Sequence, residues 1–256
     1  MKNMTKEKLR SGKAVFGTFM TINSFELSQV FGNAGYDFII IDYEHGAMDM
    51  ETVGRQVAAI KGIGDTSPLV RVPINKAEYV KKGLDSGAYG LMYPMIRTKE
   101  DVEEAVKHFY YPPKGTRGIG ATRANLFFTE TEKYLKFTEK DLLCMIQIET
   151  KESVENLDEI LSVKGIDVAF VGPYDLSYSL GVGGQIGHQK VEEAIEYIGE
   201  KCMEHNVIPG IMTNKDKMER HMDLGYRFIV EGVDGLIISN AIKNDIEYFK
   251  AINKKS

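Results

Sequence analysis

Residues 37–42 read DFIIID: four consecutive bulky apolar residues closed by an acid, Asp42, with Tyr43, Glu44 and His45 directly behind it. A strand with one wet face alternates apolar and polar residues. A run that is apolar throughout belongs to a strand covered on both faces, as in a parallel sheet clad by helices. Upstream, Val15–Met20 has the same texture and is followed by helical spacing over Ser24–Asn33. Downstream, helical spacing over Met50–Ile60 leads to another apolar run at Pro68–Val72.

The alternation continues to the end of the chain. Further strands are predicted at Gly90–Pro94, Leu142–Ile148, Asp167–Gly172, Val207–Met212 and Arg227–Gly232. Further helices are predicted at Lys76–Asp85, Lys99–Phe109, Ser153–Leu161, Val191–His205, Lys215–Asp223 and Leu236–Ile252. Gly35, Gly87, Gly165 and Gly225 stand where a helix needs a left-handed residue to end. Thr98-x-x-Asp101 and Thr213-x-x-Asp216 have the form of capping boxes. Eight βα units predict an α/β protein, a (β/α)8 TIM barrel in a single domain over residues 1–256; that fold typically takes about 250 residues. A doubly wound open sheet shares the alternation and is the alternative. The longest irregular stretch is residues 110–129, and long loops inside compact domains are often functional.

Composition narrows the function classes. Hydrophobic residues make up 43% of the chain and the net charge is −5, so there is material for a core and no basic field to hold nucleic acid. The N-terminus, MKNMTKEKLRSGK, lacks the apolar core of a signal peptide, and no run is long enough to span a bilayer. Cys144 and Cys202 lack metal-ligand spacing and read as buried thiols of a reducing compartment. A cytoplasmic location with neither membrane nor nucleic acid as partner is the expectation.

In a barrel, chemistry gathers at the C-terminal ends of the strands. Those positions hold Asp42 and His45 after strand two, Arg71 on strand three, Gln147 and Glu149 at the end of strand five, and Pro173, Tyr174 and Asp175 after strand six. Gln147 and Glu149, two apart, project to one side of their strand. Glu149 and Asp175 meeting at one rim suit a hard divalent cation, Mg2+ or Mn2+; taken singly, each is accounted for as an ordinary carboxylate at a helix N-terminus. The turn GPYDL at 172–176 offers free backbone N–H groups to an anion such as a substrate carboxylate, or is a plain Gly-Pro turn. His45 has the right intrinsic pKa for a general base, with Asp42 near enough in sequence to orient it; a structural histidine is the bland account, and the one adopted for His108, His188, His205 and His221. Arg71 either stabilises developing negative charge or belongs to a structural ion pair. Lys76, Lys81 and Lys82 read as a solvated helix face, and GVGGQIG at 181–187 as a flexible loop suited to be a lid.

Five ordered segments together resemble the HpcH/HpaI aldolase family: FIIIDYEH at 38–45, PLVRV at 68–72, YPPKGTRG at 111–118, QIE at 147–149 and VGPYDLS at 171–177. The similarity runs from about Phe16 to the last helix. The resemblance implies a class II pyruvate aldolase: a 4-hydroxy-2-oxo acid cleaved to pyruvate and an aldehyde, or the reverse, through a pyruvate enolate that a divalent metal (Mg2+, Mn2+ or Co2+) stabilises. It implies Glu149 and Asp175 as metal ligands, and Gln147, Pro173, Tyr174, Asp175 and Arg71 as contacts to the 2-oxo acid. It makes His45 the base, Arg71 the stabiliser of the enolate and Asp85 an acid that raises the basicity of His45, in contact across a subunit boundary. It further implies a homo-oligomer, a hexamer being the expected form. The segment GATRAN at 120–125 departs from the family and is expected to bring Arg123 near the site entrance; Tyr43 and Tyr174 are bulkier than the family pattern. Residues 172–181 also resemble CoA-ester lyases of the citrate lyase β and malyl-CoA lyase type, which is one alternative function; a non-catalytic barrel that binds an oxo acid is the other.

Overall fold

The computed structural model describes residues 1–253. Its eight strands close into one parallel barrel in chain order: β1 Val15–Met20, β2 Phe38–Asp42, β3 Ser67–Arg71, β4 Gly90–Tyr93, β5 Leu143–Ile148, β6 Val168–Val171, β7 Ile208–Thr213 and β8 Phe228–Val233. The (β/α)8 expectation holds, and the open-sheet alternative is excluded because β8 pairs back onto β1. The helices are α1 Met4–Arg10, α2 Phe25–Gly32, α3 Met50–Lys61, α4 Ala77–Asp85, α5 Lys99–Phe109, α6 Thr131–Lys140, α7 Lys151–Glu155, α8 Leu157–Ser162, α9 Pro173–Ser179, α10 Gln189–Glu204, α11 Met218–Asp223 and α12 Asp234–Asn253.

Why the strands are so largely apolar is plain from the packing. Phe38 and Ile40 of β2 belong to the barrel's interior cluster, with Leu69, Leu143, Met145, Phe170, Phe228 and Val230. Ile39 and Ile41 face the other way, into the layer shared with the helices. Aromatic rings fill the interior: Phe38 stacks on Phe228 at 4.0 Å, and Phe170 meets Phe19 edge-on at 6.1 Å. Gly17 makes the first of these possible, since a Cβ there would come within 2.4 Å of the Phe38 ring.

The bottom of the barrel is closed by α1, whose helical character the polar N-terminus did not announce. Leu9 enters the interior cluster, the Lys6 ammonium pairs with Asp167 at 2.8 Å, and the Asn3 amide donates to the Asp141 carbonyl at 2.8 Å. Thr98 and Asp101 form the capping box predicted for α5. The second predicted box does not form: α11 begins only at Met218, and the Thr213 hydroxyl sits 2.7 Å from His221 Nδ1 instead. The predicted helix over 153–161 is split into α7 and α8 around Asn156. Gly35, Gly87, Gly165 and Gly225 all take positive φ, as predicted. No helix among the described residues is long and apolar enough to cross a membrane. Part of the basic C-terminal tail lies outside the described residues.

Candidate active site

Strand parity and register assemble the site. Positions 38, 40 and 42 of β2 alternate inward, as do 69 and 71 of β3, and Asp42 is the direct register partner of Arg71. Their side chains therefore meet at the barrel mouth in a two-pronged ion pair, Nη2 to Oδ2 at 2.6 Å and Nε to Oδ1 at 2.9 Å. Arg71 is 9% exposed and its guanidinium lies over the Phe19 ring, 4.7 Å from the centroid. Three contacts thus hold a buried cation in one orientation: the pair with Asp42, the Phe19 face, and Glu44 Oε2 at 3.2 Å from Nε.

On β5 the inward series 143, 145, 147 continues past the strand end to Glu149. Gln147 Nε2 donates to Glu149 Oε2 at 2.8 Å, and the Met95 N–H donates to Oε1 at 2.7 Å. Met95 holds that N–H in place with a left-handed backbone, φ 55°, a conformation that costs a non-glycine residue of order 1–3 kcal/mol. Glu149 is 3% exposed. Burial pushes its carboxyl up to about 7; the Met95 hydrogen bond opposes this, while the nearby charges of Asp175 and Glu44 push the same way. Glu44 is likewise raised to about 7, by burial first, with Asp42 and Asp175 adding to it and Arg71 opposing.

Asp42, His45, Arg71, Gln147, Pro173, Tyr174 and Asp175 line one cavity of about 180 Å3, floored by Phe19, Phe170, Gly172, Met212 and Val233. Gly172 gives Glu149 its room: a Cβ there would come within 2.9 Å of Oε2. The His45 ring is mostly exposed and lies 3.8 Å from Glu44 Oε2. Asp42 does not orient this imidazole, because its carboxylate is committed to Arg71; it fixes the loop instead, accepting from the His45 backbone N–H at 3.2 Å.

Two residues lie elsewhere within the chain. Asp85 pairs with Arg117 at 2.7 Å and, with Arg123, lines a separate cleft beside α3 and α4. Arg123 is therefore not at the entrance of its own subunit's site: the segment carrying it packs against α4, its side chain beside Gly87. Conversely, Glu44, Phe19 and Met95 belong to the site and were not singled out as functional. For Glu44 the signal existed, since the even-numbered inward series 38, 40, 42 extends to 44.

Glu149 and Asp175 were tested as cation ligands on their donor chemistry. Both are hard oxygen donors, Glu149 is buried, and their mutual repulsion is relieved by a positive ion between them. Among the described residues no three His, Cys, Asp or Glu side chains group to hold an ion. Two carboxylates, with water and substrate completing the shell, is the ordinary arrangement for Mg2+. The residues fit a divalent cation.

A closed barrel whose mouth carries a buried Arg–Asp pair beside crowded carboxylates is the frame of a (β/α)8 enzyme, and the known relatives make its class a carbon–carbon lyase. The model of the HpcH/HpaI aldolase/citrate lyase family matches residues 16–241, and the chain belongs to that family. It is 34% identical over 244 residues to a hydroxypyruvate/pyruvate aldolase of Roseobacter denitrificans, covering 94% of this chain and 95% of that one. It is 33% identical over 250 residues to a 5-keto-4-deoxy-D-glucarate aldolase of Shigella boydii, covering 97% and 96%. A crystal structure of a family member from Burkholderia cenocepacia superimposes with TM-score 0.93 at 31% identity, over 97% of this chain and all of that one. The protein is an aldolase.

Proposed function

We propose that this aldolase works on pyruvate with a divalent cation held by Glu149 and Asp175, cleaving a 4-hydroxy-2-oxo acid to pyruvate and an aldehyde or running the reverse. The observation that carries this reading is the crowding of the ionisable carboxyls of Glu149 and Glu44 with Asp175 beside the single guanidinium of Arg71. A bound divalent ion supplies Lewis-acid stabilisation of negative charge on the oxygens of the oxo acid. This chain's own residues do the rest. The Tyr174 and Asp175 amides, in the first turn of α9 after Pro173, receive the substrate carboxylate. Gln147, held by its bond to Glu149, fixes the position of the keto group. Arg71, already oriented by Asp42, donates to the oxygen that becomes negative as the bond between C3 and C4 breaks. His45, exposed at the mouth, takes the proton from the C4 hydroxyl during cleavage and returns one in condensation. Asp85 has no part in this within one subunit; it acts on His45 only across a subunit boundary.

Assembly into a homo-oligomer belongs to the same proposal. It is supported by α12, which exposes Leu236, Ile242, Ile246 and Phe249 along a 20-residue helix. A hexamer would show directly in light scattering.

The deciding experiment removes divalent ions with EDTA and follows pyruvate release from a panel of 4-hydroxy-2-oxo acids. Activity should vanish and return with Mg2+, Mn2+ or Co2+. Full activity after chelation, with inactivation by borohydride in the presence of pyruvate, would place the chemistry on a lysine Schiff base and overturn the proposal.

A further inference from the structure

A second cavity, about 240 Å3, lies directly behind the first and shares three of its walls, Pro173, Tyr174 and Met212. Its remaining lining comes from the end of β7 (Thr213), the following turn (Asn214, Lys217), α10 (Ile195), α11 (His221) and Ile186 of the glycine-rich loop. That loop was singled out by its composition, and its place here is structural. Gly184 has φ 82°, and a Cβ on it would stand 3.4 Å from the Tyr178 ring and 3.5 Å from the Tyr174 hydroxyl, so the loop passes beside both side chains. Tyr174 is the partition between the two cavities. It is 61% exposed and rests against Tyr178, ring centroids 5.7 Å apart, outside the packed core.

The chemistry of the lining is one-sided. Ile186, Ile195, Met212, Pro173 and the Tyr174 ring make it mainly apolar. Lys217 is the lysine of the lining, and it is paired with Glu192, which Arg220 shares. His221 is 2% exposed, hydrogen-bonded through Nδ1 to Thr213, and kept neutral by burial, which lowers its pKa. A carboxylate placed here would find no free positive charge, and burying it unpaired is costly. An aliphatic chain would displace water and leave His221 Nε2 without a partner, as it already stands.

We infer that this cavity is the acceptor subsite of the enzyme, and that it takes the unreactive tail of an uncharged, apolar aldehyde. The inference rests on the reading of the adjoining cavity as a pyruvate aldolase site. In condensation the pyruvate methyl loses one proton and its carbon bonds to the aldehyde carbonyl carbon, whose oxygen gains one proton. The tail is untouched, so the subsite acts on specificity alone. The class of aldehyde so selected differs from the carboxylated one that a sugar-acid aldolase releases.

The test measures kcat/KM for condensation of pyruvate with acetaldehyde, butanal, hexanal and succinic semialdehyde, with Mg2+ or Mn2+ present. Burial of methylenes predicts a rise of about fourfold per carbon until the cavity fills. Hexanal should exceed acetaldehyde at least tenfold, and butanal should exceed the equally long semialdehyde by as much. Ile186→Trp fills the cavity from a partly exposed loop and should cut the hexanal to acetaldehyde ratio at least tenfold. Ile195→Ala enlarges it and should move the optimum to longer chains. A flat series, a preference for the semialdehyde, or a ratio that Ile186→Trp leaves in place would each refute the subsite while leaving the aldolase reading intact. Failure of every aldehyde to condense with pyruvate would remove that reading, and the subsite with it.

Discussion

Replacing Glu149 by Gln should make the metal-free protein more stable above neutral pH while abolishing its activity. The carboxyl is 3% exposed and its pKa is pushed up to about 7 from 4.5, so forcing it to ionise in the folded state costs on the order of 3 kcal/mol. The sign follows from proton uptake. Between pH 4.5 and 7 the folded state holds a proton that the unfolded state has released, so stability falls as pH rises through that window and the loss is complete above it. Gln keeps the shape and the acceptor for the Met95 N–H, but its amide then faces Gln147 Nε2 and forces Gln147 to turn over. Allowing about half the gain for that rearrangement leaves about 1–2 kcal/mol, or between about 2 and 8 °C in Tm for a chain of this size. The assay is thermal and urea unfolding of both proteins with EDTA, at pH 5 and pH 8. Glu149→Gln should be level with or below the parent at pH 5 and above it at pH 8. Equal destabilisation at both pH values would show that Glu149 is an ordinary satisfied carboxylate, and the electrostatic account of the site would be wrong.

Other expectations follow from the same geometry. A divalent cation should raise Tm more at pH 8 than at pH 5, because protons on Glu149 and Glu44 compete with it at the lower pH; a shift independent of pH would speak for binding elsewhere. Arg71→Lys keeps a charge but loses the fork that grips Asp42, so kcat should fall on the order of 100-fold or more with KM changed less, as steady-state kinetics will show. Gly172→Ala inserts a methyl 2.9 Å from Glu149 Oε2 at an ordinary φ of −96°, so it should reduce cation affinity, measured by calorimetry, at little cost in Tm.

The barrel was legible because burial on both faces leaves a signature that needs no partner to be seen: 38–41 is apolar throughout and 142–148 at every position but Gln147. α1 was not legible. Its seven residues are mostly polar and earn their structure from the barrel floor, through Asn3, Lys6 and Leu9, which sequence spacing does not reveal. The residues at the mouth were legible as a rim, since polar side chains at the ends of apolar strands are costly without partners. Which partner each takes was not. Asp42 lies three residues from His45 in sequence, yet register sets it against Arg71, 29 residues on. Arg123 was misplaced for the same reason: the irregular stretch 110–129 gives no period from which to read direction, and it lies against α4.

Charge balance at the mouth argues for an ion of two charges over one. Arg71 is one positive charge facing Asp42, Glu44 and Glu149, and Asp175 adds a fourth carboxyl close enough to raise both glutamates. Asp42 takes the guanidinium in a two-pronged bond. Glu44, Glu149 and Asp175 remain, with a local charge of minus three when all are ionised. Arg71 offsets this only in part, and burial with the neighbouring charges raises the Glu149 and Glu44 carboxyls to about 7. A divalent ion between Glu149 and Asp175 would bring the cluster to minus one. It would leave Glu44, 3.8 Å from the His45 ring and 3.2 Å from Arg71 Nε, as the carboxylate not bound to the ion and placed to stabilise the imidazolium that proton transfer creates. On this argument the partner of His45 within the subunit is Glu44, and Glu44→Gln should lower the kinetic pKa of the base in the pH profile of kcat/KM, where loss of a merely structural contact would leave that pKa in place.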